Sequence, residues 1–184
     1  MVMNFTAEDW HSVHNELSRS GCVDPKAPVQ AEGMITIKAP HEIVWDLLAD
    51  VTCWPYIRAD IQDVTSPYEI RPEATFLWST QGMKLTSKFG PIKRPHFLCW
   101  STSGPGLLMT ARYEINPGPQ DHSVVSCREA LHAPDYPLLG SAELRHSIRT
   151  WLEGLKALVE RPSSRDHPSS GDPLPTASPV RPFN

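Results

Sequence analysis

Cysteine is scarce here, and its spacing suits neither metal nor disulfide chemistry. Four occur, Cys22, Cys53, Cys99 and Cys127, with no C-x-x-C pair and no zinc-ligand spacing. That excludes a disulfide framework and a zinc ribbon and points to free thiols in a reducing compartment. Long apolar runs are missing too, so no membrane span is expected. A basic excess is absent: the formal net charge is −4, which leaves no electrostatic footprint for nucleic acid. The segment "MVMNFTAEDWHSVHNELSRSG" is polar and acidic with no apolar h-region, so the expected location is cytoplasmic. His11 and His14 lie three apart on a predicted helix without a third ligand nearby, so no metal is expected. What is present, 184 residues of which 40% are hydrophobic, suffices for one globular domain with a sizeable core.

The first predicted element is a helix over 6–19. Thr6 and Asp9 have capping-box spacing, Gly21 is placed to stop it, and Trp10, Val13 and Leu17 form one narrow apolar stripe. A linker, "CVDPKAPVQ", follows. "AEGMITIKA" alternates as a strand with Ile35 and Ile37 inward. "PHEIVWDLLADV" reads as a short helix begun by Pro40, and "CWPYIRADI" as a second short helix or turn. "QDVTSPYEI" is an expected edge strand, because Pro67 cannot donate to a ladder. Strands at about 74–80, 83–89, 96–102, 108–115 and 123–131 are separated by explicit turn chemistry: Gln81-Gly82, "GPIKRP", "SGPG" and "NPGPQD". From Leu138 to Glu160 the period becomes helical, with Leu144, Ile148, Trp151, Leu152 and Leu155 on one face. The expected organisation is a helical extension and linker over 1–29, a domain over 30–160, and a Pro- and Ser-rich disordered tail over 161–184.

That order is α+β: helices on one side of a curved antiparallel sheet, closed by one long C-terminal helix. Such a sheet need not fill its middle with side chains, so a ligand cavity is expected. "IKAPHEIVWDLLADVTCWPYIRADI" resembles the opening of the START/Bet v 1-like (SRPBCC) superfamily, in particular its polyketide cyclase/dehydrase-like branch. Ala39, Pro40, Val44, Trp45, Leu48, Asp50, Trp54 and Pro55 carry the likeness, with "FLWSTQGMKLTSKF", "LCWSTSGPG" and "WLEGLKALVE" further on. The resemblance spans about residues 30–160. It implies a helix-grip fold around a hydrophobic cavity and a small, mostly apolar ligand. It leaves the chemistry open, since the superfamily includes cyclases, other enzymes, lipid carriers and receptors.

Strand alternation predicts the inward residues. Phe76, Trp78, Leu85, Ser87, Leu98, Trp100, Met109, Ala111 and Cys127 are expected to line the substrate site, with Arg149 reaching in from the last helix. The Gln81-Gly82 turn pairs Trp78 with Leu85 and Phe76 with Ser87. A turn centred near Gly104-Pro105 pairs Trp100 with Met109, Leu98 with Ala111, and His96 with Tyr113. The next connection sets Glu129 or Cys127 opposite Ala111. Glu129, Tyr113 and His96 thus form the candidate catalytic group: a desolvated carboxyl of raised pKa, a phenol that can bond a ketone or enolate oxygen, and a proton shuttle. The structural alternatives are an ion pair of Glu129 with Arg145 or Arg149, a packing Tyr113, a rim His96 in water, and Ser87 and Thr80 as satisfied strand hydroxyls. Tyr56 and Arg58 are read as a gate or as loop decoration, and His132 and Asp135 as residues of the mouth.

Three functions compete. One is an enzyme for cofactor-independent cyclisation, dehydration or isomerisation of a hydrophobic intermediate. The second is a carrier or sensor of a lipid-like ligand. The third is an interaction protein working through its N-terminal helix and tail. The expected partner is a small hydrophobic molecule; a homodimer is left open.

Overall fold

The computed structural model describes residues 5–161. Helix α1, Ala7–Ser20, begins at Thr6, whose hydroxyl accepts from Asp9 N–H at 3.1 Å while the Asp9 carboxylate accepts from Thr6 N–H at 2.7 Å. Gly21, at φ 65°, ends it in the left-handed region. Strand β1 is Val29–Ile37 and helix α2 is His41–Ala49. A 3₁₀ turn, Val51–Cys53, runs into the short helix α3, Trp54–Ile57. Strand β2, Ile61–Thr65, stops before Pro67. Then come β3 Thr75–Thr80, β4 Met83–Lys93, β5 Phe97–Gly104, β6 Leu107–Pro117 and β7 Ser123–His132. The last helix, α4, is Ser141–Val159. The tail predicted to be disordered lies outside the described residues, apart from Arg161.

All seven strands join one antiparallel sheet in the order β1-β7-β6-β5-β4-β3-β2. Helix α4 lies across its inner face, with Leu144, Ile148, Trp151, Leu152 and Leu155 buried. This is the α+β helix-grip fold. Two glycines permit the close approach. A Cβ at Gly33 would stand 2.6 Å from Ile148 Cγ2, and one at Gly154 would overlap the Ile57 carbonyl oxygen. Helix α1 packs instead on the outer face, over β4, β5 and β6. No helix among the described residues is long and apolar enough to cross a membrane.

The β3–β4 register pairs Phe76 with Ser87 and Trp78 with Leu85, around Gln81 and Gly82 at φ 49° and 79°. The β5–β6 register differs from expectation by two residues. Gly104 pairs with Leu107, so Pro105 and Gly106 make the turn and Gly106 takes φ 62°. Trp100 therefore faces Ala111 and Leu98 faces Tyr113. A two-residue slip keeps every side chain on its own face but moves it one row. His96 falls before the strand, and its ring stacks on His41 at 5.6 Å on the surface.

Candidate functional site

The sheet and α4 enclose a cavity of about 400 Å³. It lies toward the tips of the β3–β4 and β5–β6 hairpins and the first turns of α4. Its far end is closed by Trp54, the first residue of α3. The Trp54 ring is met by Phe76, Trp78, Trp100 and Trp151 at centroid distances of 5.3, 5.6, 5.1 and 5.2 Å, and its N–H donates to Leu48 O at 3.0 Å. This aromatic plug decides which inward positions meet the void. Trp78, Leu85, Trp100 and Met109 line it as expected from alternation. Phe76, Leu98, Ala111 and Cys127 are buried in packed core outside the lining.

Ser87 is also outside it. Its hydroxyl accepts from Trp78 N–H at 2.9 Å and shares a 2.8 Å bond with Thr102, so it is a satisfied strand hydroxyl. Arg149 is exposed on α4 and reaches only His146, at 3.4 Å; it does not enter the cavity. Neither Arg149 nor Arg145 pairs with Glu129. The cation of the cavity is Arg58, which follows α3. It donates to Asp60 at 2.7 Å, to Ser147 at 3.2 Å and to Thr80 at 3.2 Å, tying the α3–β2 loop to α4 and β3. Burial works against the Asp60 charge, but the Thr80 bond and the Arg58 charge outweigh it and hold the carboxyl below its usual range. Trp54, Arg58 and Trp151 escape strand alternation because they come from helices and a loop. Trp54 was visible as the Trp of the Trp-Pro pair, Trp151 as part of the last helix's apolar face.

Of the three candidate catalytic residues, two come together. Ala111 pairs with Glu129 and Tyr113 with Cys127, so Tyr113 and Glu129 are diagonal neighbours on one face. The Tyr113 hydroxyl donates to Glu129 Oε1 at 3.1 Å, and the Cys127 thiol lies 3.7 Å from the same oxygen. Tyr113 is 1% exposed and stacks on Trp100 at 5.1 Å with planes 8° apart. Glu129 Oε2 has no protein partner among the described residues. Burial pushes the Glu129 carboxyl above its usual range, with Tyr113, Arg58 and Cys127 opposing. The Tyr113 phenol is pushed up as well, first by burial and then by Cys127 and Glu129, and the Cys127 thiol by burial and Glu129, with the Tyr113 bond opposing. The third candidate, His96, is exposed and outside the cavity, because it lies in the turn before β5 rather than on the strand. His132 binds Asp24 at 2.7 Å, away from the mouth, and Tyr56 is exposed on α3. His146, Ser147 and Thr150 supply the polar side of the lining from α4. Among the described residues no group of His, Cys, Asp or Glu side chains is arranged for a metal.

No family model matches the chain, and no curated protein matches it. Solved structures do. CalU16 from Micromonospora echinospora shares 14% identity at TM-score 0.54, covering 71% of this chain and 75% of its own. DynU16, a protein in the dynemicin biosynthetic locus, shares 14% at TM-score 0.59, covering 72% of this chain and 47% of its own. The Aha1 dimer from Colwellia psychrerythraea shares 15% at TM-score 0.58, covering 72% and 97%. At these identities the likeness shows the fold alone, an antiparallel sheet closed by a C-terminal helix.

Proposed function

We propose that this chain is a small-molecule enzyme of the polyketide cyclase/dehydrase-like type. It binds a neutral hydrophobic intermediate and catalyses a cyclisation, dehydration or isomerisation without a redox cofactor. The observation that carries the reading is the Glu129–Tyr113 pair on an apolar cavity wall. Among the described residues the carboxyl has no bonded counter-ion and one oxygen without a hydrogen-bond partner, and its pKa is raised. A merely structural carboxylate in such a place is expected to be paired. The occurrence of the same fold in a protein of the dynemicin biosynthetic locus is in keeping with this reading.

The cavity's charge balance favours a neutral ligand. Arg58 is already matched by Asp60, Glu143 is engaged by the Gly140 N–H at the start of α4, and Glu129 resists ionisation. Trp78 and Trp100 offer flat walls to a conjugated body. In the proposed reaction the Glu129 carboxylate removes a proton from a carbon next to a ketone. The electron pair moves onto the ketone oxygen as an enolate. The proton now on Glu129 is then delivered to a departing hydroxyl, which leaves as water, or to another carbon, which isomerises the substrate. Tyr113 is a positioning residue: it holds the carboxyl by its hydrogen bond and is itself fixed by the stack on Trp100. Folding the chain of a substrate between these walls supplies the proximity that ring closure needs.

The test is incubation with an extract of the source organism, followed by native mass spectrometry and chromatography of the released ligand. The expected product is lighter by one water, or equal in mass with altered retention, and Glu129→Gln abolishes it. A ligand released unchanged by both proteins assigns the chain to the carriers instead.

A further inference from the structure

A second buried polar cluster lies on the other side of the sheet, under α1. His14 is 1% exposed and Ser101 of β5 is 0% exposed. Trp10 Nε1–H donates to Ser101 Oγ at 3.1 Å. Ser101 Oγ and His14 Nδ1 are 2.8 Å apart, and His14 Nε2 and Glu73 Oε1 are 2.9 Å apart. The neutral ring satisfies all three contacts and leaves no hydrogen of the chain without an acceptor. Nε2 faces a carboxylate and must carry hydrogen, so Nδ1 accepts from the Ser101 hydroxyl, whose oxygen accepts from the indole. The imidazole is therefore neutral, and the bonds run in one direction from Trp10 to Glu73.

A second proton on this ring has nowhere good to go. Nδ1–H would have to donate to Ser101 Oγ, and the Ser101 proton would lose its acceptor in a place water does not reach. The compensating ion pair is weak, because Glu73 is 56% exposed and its other oxygen is 3.7 Å from Lys88. The charged or titratable groups around the ring are Glu73 from the segment before β3, Lys88 from β4 and His11 from α1 itself. Burial lowers the His14 pKa, with Glu73 opposing and Lys88 and His11 adding to the lowering.

We propose that α1 is an acid-released clamp on the outer face of β4–β6, held by the Trp10–Ser101–His14–Glu73 bond chain and freed when His14 takes up a proton. The sign follows from linkage. The docked ring binds a proton less readily than the free ring, whose pKa is 6.5. Docking is therefore at full strength above 6.5 and weakens as pH falls below it, until the docked ring also titrates. Glu73 acts the same way at lower pH. Burial disfavours its charge, but the His14, Lys88 and Ser18 contacts prevail and hold it below the usual range, so its contribution is also lost in acid. Release would uncover Leu17 and the Cys99 thiol. Both lie against Gly90, and burial pushes that thiol up to about 12 while α1 is docked.

Hydrogen exchange of the full chain, followed by mass spectrometry and corrected for the chemical rate at each pH, tests this. Protection of residues 7–20 should fall by up to about tenfold between pH 7.5 and 5.5, the factor a free pKa near 6.5 allows, while β5 and β6 stay protected. His14→Gln, which keeps a donor toward Glu73 and an acceptor toward Ser101, should flatten that dependence. Wild-type protection that is constant or rises in acid overturns the clamp, and so does a His14→Gln profile that falls like the wild type. If His14→Gln fails to dock α1 at all, labelling by 4,4′-dithiodipyridine in a Cys22→Ser, Cys53→Ser background decides. Acid labelling of Cys99 ahead of Cys127 supports local release. Simultaneous labelling of both, or of neither, overturns it.

Discussion

Two partly buried polar clusters sit back to back across one sheet, and they differ in how completely they are satisfied. Outside, His14 has a partner on each ring nitrogen, and Ser101 is bonded twice. Inside, Glu129 receives the Tyr113 hydroxyl and the Cys127 thiol on one oxygen, and its other oxygen has no hydrogen-bond donor among the described residues. The outer cluster ties α1 to β5 and to the segment before β3; the inner one comes wholly from β6 and β7, which the sheet already pairs. Position on the sheet explains part of this. The outer groups are covered by a helix that brings its own polar side chains. The inner groups face a cavity where packing stops. Burial alone thus does not distinguish the two groups. What distinguishes them is how much of each one's hydrogen-bonding capacity the described residues use up.

The most direct way to break the comparison is to neutralise each cluster. Glu129→Gln should lower turnover of the released substrate by about 10²–10⁴-fold, the scale of general acid–base catalysis, with ligand affinity nearly unchanged. His14→Gln at pH 7.5 should leave turnover at the wild-type level. Chromatographic product assays on both variants check this. Equal losses would mean that the outer cluster reaches the chemistry or that Glu129 serves only the fold.

The next effect is on stability. Trp54→Ala removes the plug at the far end of the cavity and the contacts with four aromatic rings, and should cost about 3–5 kcal/mol in urea unfolding. Trp10→Ala, on the half-buried outer side, loses one hydrogen bond and some packing, about 1–2 kcal/mol. Trp54 also shows where sequence reading stopped. The face of each strand residue was legible from alternation, and the β3–β4 register from Gln81-Gly82, because both are local. The thickness of packing above each residue was not. Phe76, Leu98, Ala111 and Cys127 share the inward face with Trp78 and Trp100 but lie outside the lining, and that is decided by where α3 and α4 fill the concave side. The β5–β6 slip of two residues arose because "SGPG" offers two glycines. Only Gly106 takes the positive φ of the turn. Face survived that slip; the row did not. His96 was misplaced for another reason: it ends the β4–β5 turn, and β5 begins at Phe97. Arg58 was noticed as a gate or decoration, but its three bonds depend on contacts between elements far apart in the chain.

The clusters should also respond to pH with opposite sign. The folded pKa of Glu129 is raised, so the unfolded chain gives up that proton first. The stability linked to it is fully present below the ordinary carboxyl pKa of 4.5 and is lost as pH rises through the folded value. Glu129→Gln should therefore gain stability over wild type toward alkaline pH, with the gap closing in acid. The α1 clamp weakens in the other direction. Urea midpoints of the wild type and the variant across pH 4–9 measure the first. A Glu129→Gln gap that widens in acid would mean the carboxylate is stabilised in the fold, contrary to its surroundings.

The smallest effect sharpens the boundary of the inner site. Arg149 and Arg58 are both cations near α4, yet only Arg58 lines the cavity. Arg149→Ala leaves a solvent-exposed position with a single 3.4 Å contact to His146, so stability should change by less than about 0.5 kcal/mol. Ligand affinity should stay within about twofold, since exposed charges contribute little. Arg58→Ala removes three bonds at once and leaves the half-buried Asp60 carboxylate without its cation, held only by the Thr80 hydroxyl at 2.7 Å. It should weaken ligand binding measurably by calorimetry and raise the pH at which Glu129 ionises, because Arg58 is among the groups opposing that rise. If Arg149→Ala proves the more damaging of the two, the cavity opens along α4 rather than beside α3, and the polar side of the site must be redrawn around His146.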